Sequence, residues 1–153
     1  MNNFDEAENL GRGKFERLCS AGIMSGERIV DFTTDPYCFY DFAMTSKTGT
    51  SIGEIKNLDR PYTKYPNFQI DLPKLRRLLE EANRQNCTPL LVVFFSDCTL
   101  VWDISTLEDE IEDRAKKVWC TTTTADNYNR GTKEKTETFL YSNETLWSGT
   151  TTL

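Results

Sequence analysis

Apolar positions along this chain follow two rhythms, one near 3.6 residues and one of two, with a few continuous runs between them. Phe15, Leu18 and Cys19 follow Gly11-Arg-Gly13 and precede Gly22 and Gly26, which predicts a helix from about residue 13 to 21. Residues 27–34 and 38–46 are rich in β-formers and are parted by Asp35-Pro36, so both read as strands. A third strand is expected from Ser51 to Asn57, after the turn signal Lys47-Thr-Gly49. A polar loop with Pro61, Tyr62, Tyr65, Pro66 and Phe68 leads to Asp71, placed as a helix N-cap. Leu72, Leu75, Leu78, Leu79 and Ala82 then form one apolar stripe of a helix. Leu90 to Phe95 is apolar on both faces, as a central buried strand is, and Thr99 to Ile104 follows as another. Leu107 to Val118 is expected to be a short charged helix, and residues 116–122 and 135–141 a hairpin. The threonine-rich tail carries no readable pattern. The order α-β-β-β-α-β-β, then a helix and a hairpin, predicts an α/β domain whose mixed central sheet is flanked by helices.

Composition narrows what such a domain does. The 153 residues, 38% of them apolar and 12% aromatic, suffice for a single domain spanning 1–153, with a core at about 10–104 and an extension at 105–153. No apolar run reaches the roughly 18 residues of a membrane span, and the polar, acidic opening does not read as a secretory signal. A soluble, cytoplasmic protein is therefore expected. The five cysteines include no C-x-x-C pair, which argues against a disulfide framework and a zinc site. There is no histidine, so histidine triads and imidazole metal sites are excluded. Hydrolytic chemistry would have to run on carboxylates, lysine and a bound metal. The net charge of −6 weighs against a phosphate-rich partner, yet Lys56 to Arg77 holds six basic residues against two acidic ones.

Glu54-Ile-Lys56 lies on the third strand, where alternation sends Glu54 and Lys56 to one face and Ile55 to the other. Asp41 is expected midway along the preceding strand. A hairpin turning near residues 47–50 brings Asp41 opposite Glu54, so that two carboxylates can share a hard divalent ion with a lysine beside it. An acid-x-Lys triplet arises by chance about once in a chain this rich in acids and lysines, so its weight comes from these surroundings. Its bland alternative is a cross-strand surface ion pair.

Tyr40-Asp41-Phe42, Gly53-Glu54-Ile55-Lys56 and the element order together resemble the PD-(D/E)xK nuclease superfamily, with its restriction-endonuclease-like αβββαβ core. The opening Gly11-Arg-Gly-Lys-Phe-Glu16 looks like the first helix of archaeal-type Holliday junction resolvases. The resemblance spans roughly residues 10–104. Asp41 is not preceded by the proline of the family pattern, a residue that many members lack. The resemblance implies that Asp41, Glu54 and the main-chain carbonyl of Ile55 bind Mg²⁺ (or Mn²⁺), that Lys56 is the catalytic lysine, and that Glu16 assists from the first helix. It also implies contacts from Gln69 and Lys74 to the scissile phosphate, at a helix start already favourable to anions. Arg60, Lys64 and Arg77 complete the expected nucleic-acid surface, while Tyr62, Tyr65 and Phe68 are candidates for stacking on unpaired bases or, equally, for packing onto the domain edge.

The expected activity is metal-dependent hydrolysis of DNA, as in a structure-selective endonuclease of phage type, with a two-fold dimer suited to a junction substrate. An exonuclease or restriction-like nuclease fits the same residues. The alternative from another class is a non-catalytic nucleic-acid or protein interaction module on the same fold.

Overall fold

The computed structural model describes residues 3–20, 28–34, 38–46, 49–62, 67–121 and 132–150. Its first helix, α1 (Asn3–Ser20), begins ten residues before the expected start and carries Gly11 and Gly13 within it. Gly11 serves close packing here, not helix punctuation. A Cβ at this position would stand 3.0 Å from Ile55 Cγ2 and 3.3 Å from Asn57 Cβ, so the missing side chain lets the helix lie down on the sheet. Phe15 and Leu18 are buried on the same face.

Strands β1 (Arg28–Phe32), β2 (Phe42–Ser46) and β3 (Gly49–Asn57) form an antiparallel meander. Strand β4 (Phe68–Asp71) runs directly into α2 (Leu72–Gln85), and β5 (Thr88–Phe94) returns parallel to β3. The predicted stripe of α2 is buried as expected. Asp71 occupies the N-cap position, but its side chain makes no capping hydrogen bond. At the other end Asn86 takes the left-handed conformation (φ 56°), and its N–H reaches back to the last carbonyls of the helix.

Strand β6 (Cys98–Asp103) pairs with β5, a 3-10 turn spans Ile104–Leu107, and α3 (Glu108–Asp113) is shorter than predicted. Lys116 to Val118, expected to be helical, belongs instead to β7 (Lys116–Thr121), the first strand of the predicted hairpin with β8 (Thr132–Leu140). Strand β9 (Trp147–Thr150), from the unread tail, covers the edge of β6. Two sheets result: a mixed six-stranded one in the order β1-β2-β3-β5-β6-β9, and a three-stranded one in the order β4-β8-β7. The domain is thus α/β with a mixed central sheet flanked by helices. Phe15, Leu18, Phe42, Met44, Leu90, Val92 and Phe94 fill the α1 side of the large sheet. Leu72, Leu75, Leu91, Val93, Trp102 and Leu140 fill the other side, beneath α2 and the small sheet. Among the described residues no helix is long and apolar enough to cross a membrane. Cys19, Cys38, Cys87 and Cys98 are half-buried and take part in no disulfide among the described residues.

Candidate functional site

Because β3 alternates, Ile55 packs toward α1 while Glu54 and Lys56 share the α2 face with Leu91 and Val93, their register partners on β5. Leu91 and Val93 offer the two charges no polar group, and Glu54 and Lys56 pair with each other. Lys56 Nζ lies 3.0 Å from Glu54 Oε1, with the side chains 30% and 20% exposed.

Asp41 stands one residue before β2, not midway along a strand. Phe42 already pairs with Gly53, yet the Asp41 N–H also donates to the Gly53 carbonyl at 2.7 Å. Two residues facing one is the pattern of a β-bulge, which re-aims a side chain at the end of a ladder. The Asp41 carboxylate accordingly turns to β3, where Oδ2 accepts the Ile55 N–H at 2.7 Å. A strand residue sends its N–H and C=O toward the same neighbour, so the Ile55 carbonyl leaves β3 on the Asp41 side. The bulge is held from behind by Thr33, whose N–H donates to the Asp41 carbonyl (2.9 Å) and whose hydroxyl donates to the Tyr40 carbonyl (2.7 Å). Gly53 is required at this point. A Cβ there would meet the Phe42 ring at 2.4 Å and the Leu90 carbonyl oxygen at 2.6 Å.

The electrostatics follow from crowding. Burial and then the negative charge of Glu54 push the Asp41 carboxyl up to about 6, against the Ile55 N–H and the Lys56 charge, which favour ionisation. For Lys56 burial works against the charged form, but Glu54 and Asp41 outweigh it and hold its pKa above the usual lysine value. Lys74, in the first turn of α2, is lowered, chiefly by the charge of Lys56 and then by burial. Two carboxylates and two ammonium groups thus act on one another where the end of β3 meets the start of α2.

The α1 acid whose charge reaches Asp41 is Glu8, which adds to the upward push. Arg12 holds it with an ion pair of 2.9 Å while donating to the Thr33 carbonyl, also at 2.9 Å. Glu16, the helix acid implied by the resemblance, is exposed and is not among the groups acting on Asp41. Lys14 joins the end of β3 through Asn57 Oδ1 (2.7 Å). Starting the helix at Asn3 would have found Glu8, since positions 8, 11, 15 and 18 fall on one face.

The other expected contacts are scattered. Gln69 is exposed on β4, on the side away from buried Phe68 and Ile70. The Arg60 guanidinium lies 5.3 Å from the centre of the buried Phe95 ring, and that of Arg77 lies 5.3 Å from the ring centre of exposed Phe39. Arg76 is paired with Glu112 at 2.6 Å. Lys64 and Tyr65 lie outside the described residues. Of the two readings of Phe68, packing onto the domain is the one found, because its ring is buried against Phe95 and Trp102. Tyr62 likewise packs edge-on to Phe95, and its hydroxyl accepts the Ser142 N–H at 3.2 Å.

Among the described residues no three His, Cys, Asp or Glu side chains gather as a metal-binding group. A cation held here would therefore have two carboxylates and would need main-chain or water oxygen for the rest. Comparison with protein-family models, curated proteins and solved structures finds no match to this chain.

Proposed function

We propose that the chain is a metal-dependent nuclease that hydrolyses DNA phosphodiester bonds at the Asp41–Glu54–Lys56 centre. One observation carries the reading: the Asp41 carboxylate is turned by a bulge onto the Ile55 N–H, beside the Glu54–Lys56 pair of the same strand. The order α1-β1-β2-β3, then α2-β5, agrees with the αβββαβ core of the PD-(D/E)xK superfamily, with β4 inserted before α2. The residues fit a hard divalent cation, since two oxygen-donor carboxylates are crowded enough that one is hard to ionise. Asp41, Glu54 and the Ile55 carbonyl would hold Mg²⁺ or Mn²⁺. Such an ion supplies an ionisable water and offsets charge on the phosphate.

The chain's own groups do the rest. With Glu54 engaged as a ligand, the Lys56 amine is released to orient the attacking water and to face the growing charge on phosphorus-bound oxygen. Lys74 faces the same space, where a phosphate would relieve its repulsion with Lys56. Gln69, Arg60, Lys64 and Arg77 are the outer contacts of this reading, and a two-fold dimer acting on a junction is its oligomeric form.

The closed Glu54–Lys56 ion pair favours a second reading, in which the pair is structural and the domain only binds. Labelled linear, flapped and four-way DNAs incubated with Mg²⁺, Mn²⁺ or EDTA separate the two. Metal-dependent cutting, lost in Asp41→Asn, is expected; binding with no cutting in either metal would leave the interaction module.

A further inference from the structure

Phe39 is an exposed phenylalanine, 51% accessible, in a chain that buries Phe15, Phe42, Phe68, Phe94 and Phe95. It stands two residues from Asp41, so the two Cα atoms are at most about 7 Å apart. The backbone beyond it is fixed at both Tyr40 and Asp41 by Thr33. Tyr40 packs against the Ile52–Leu78–Ala82 cluster beneath α2. The ring is therefore displayed by an anchored segment. Above it lies the Arg77 guanidinium, 5.3 Å from the ring centre. Arg77 sits on α2 three residues after Lys74, a spacing that makes the two neighbours on the helix surface. Lys56, Lys74 and Arg77 form a cationic line from the carboxylates to this aromatic surface.

We infer that the site takes DNA with an unpaired base beside the bond it cuts, the base stacking on Phe39 while Arg77 holds the adjoining phosphate. This rests on the nuclease reading and names its substrate class. Inside a duplex both faces of a base are covered by its neighbours, whereas flaps, bulges and single strands expose a face to an aromatic ring. A guanidinium resting on a ring adds charge to the stack. Continuous duplex offers phosphates to the cationic line and nothing to Phe39.

The experiment compares wild type, Phe39→Leu, Phe39→Tyr and Arg77→Ala on a continuous duplex and on the same sequence with an unpaired flap. Melting temperature verifies that each variant is folded. The readout is the ratio of kcat/KM for flap over duplex, with 2-aminopurine placed at the unpaired position in EDTA as a cleavage-independent probe. Phe39→Leu should lower the ratio about tenfold or more and abolish the stacking-induced quenching, because it keeps bulk and loses the aromatic face. Phe39→Tyr should retain both, and Arg77→Ala should weaken flap binding. A wild type that cuts flap and duplex equally, or a Phe39→Leu variant with an unchanged ratio, overturns this inference and leaves the nuclease reading standing. A wild type that neither cuts nor quenches overturns both.

Discussion

Strands β3 and β5 lie side by side, parallel and in register from Ser51–Thr88 to Asn57–Phe94, yet they serve opposite purposes. From Pro89 to Phe94 every residue of β5 is buried, and Leu91 and Val93 have no exposed surface. One strand away on the same face, β3 carries Glu54 and Lys56, half-buried and paired with each other. The backbone scaffold is shared; the free energy is not. Burial of β5 stabilises the sheet by about 25 cal/mol for each Å² of apolar surface. The charges of β3 lose hydration, which their mutual attraction roughly offsets. On this face β3 sets two charges beside a strand that is wholly core, and the proposed chemistry would use the groups placed there.

The largest expected contrast comes from truncating each strand. Leu91→Ala should cost about 2–5 kcal/mol in urea unfolding, because the cavity sits in a packed core. Replacing the ion pair together, Glu54→Leu with Lys56→Met, should cost less than about 1 kcal/mol, while either change alone costs more by stranding a charge. A double variant as unstable as Leu91→Ala would make the pair structural and erase the contrast.

Asp41 sharpens the comparison through pH. A carboxyl that titrates at about 6 in the fold and at 3.8 ordinarily favours folding fully below pH 3.8, and this contribution is lost as the pH rises through 6. At pH 8 the ionised group should therefore cost on the order of 2–3 kcal/mol. Asp41→Asn keeps the acceptor for the Ile55 N–H and should recover most of that in metal-free buffer at pH 8. It should recover almost none at pH 3.5. Equal stabilisation at both values would assign the effect to something other than charge.

Smaller effects are expected at Gly53 and at the surface. Gly53→Ala should destabilise by about 1–3 kcal/mol, since its Cβ collides with the Phe42 ring and the rigid Leu90 carbonyl. It should also disturb the bulge that aims Asp41, visible as altered amide shifts at Ile55. Arg76→Ala removes an exposed, solvent-screened ion pair with Glu112 and should leave the urea unfolding midpoint nearly unchanged.

Much of this contrast was legible before the structure. The stripe of α2 and the run Leu90–Phe95 declare themselves by local periodicity, and a tight turn between β2 and β3 suffices to bring Asp41 toward Glu54. What escaped depends on distant partners. Strand β4 is four residues long and is made a strand by β8, and β9 is defined by its pairing with β6. Gly11 and Gly13 have the look of breakers unless the packing of Gly11 on Ile55 and Asn57 is known, which hid Glu8. Phe39 carries no periodic signal, because its environment is set by an arginine on α2.

The central proposal is that the polar end of β3 performs metal-dependent phosphodiester hydrolysis. Single-turnover cleavage of a labelled flapped DNA by wild type and Lys56→Ala, each with Mg²⁺ and with EDTA, tests it most directly. Wild type should cut only with metal, and Lys56→Ala should lose on the order of 100-fold or more, roughly 3 kcal/mol of barrier. Cleavage by Lys56→Ala at the wild-type rate, or no cleavage by wild type in either condition, would contradict it.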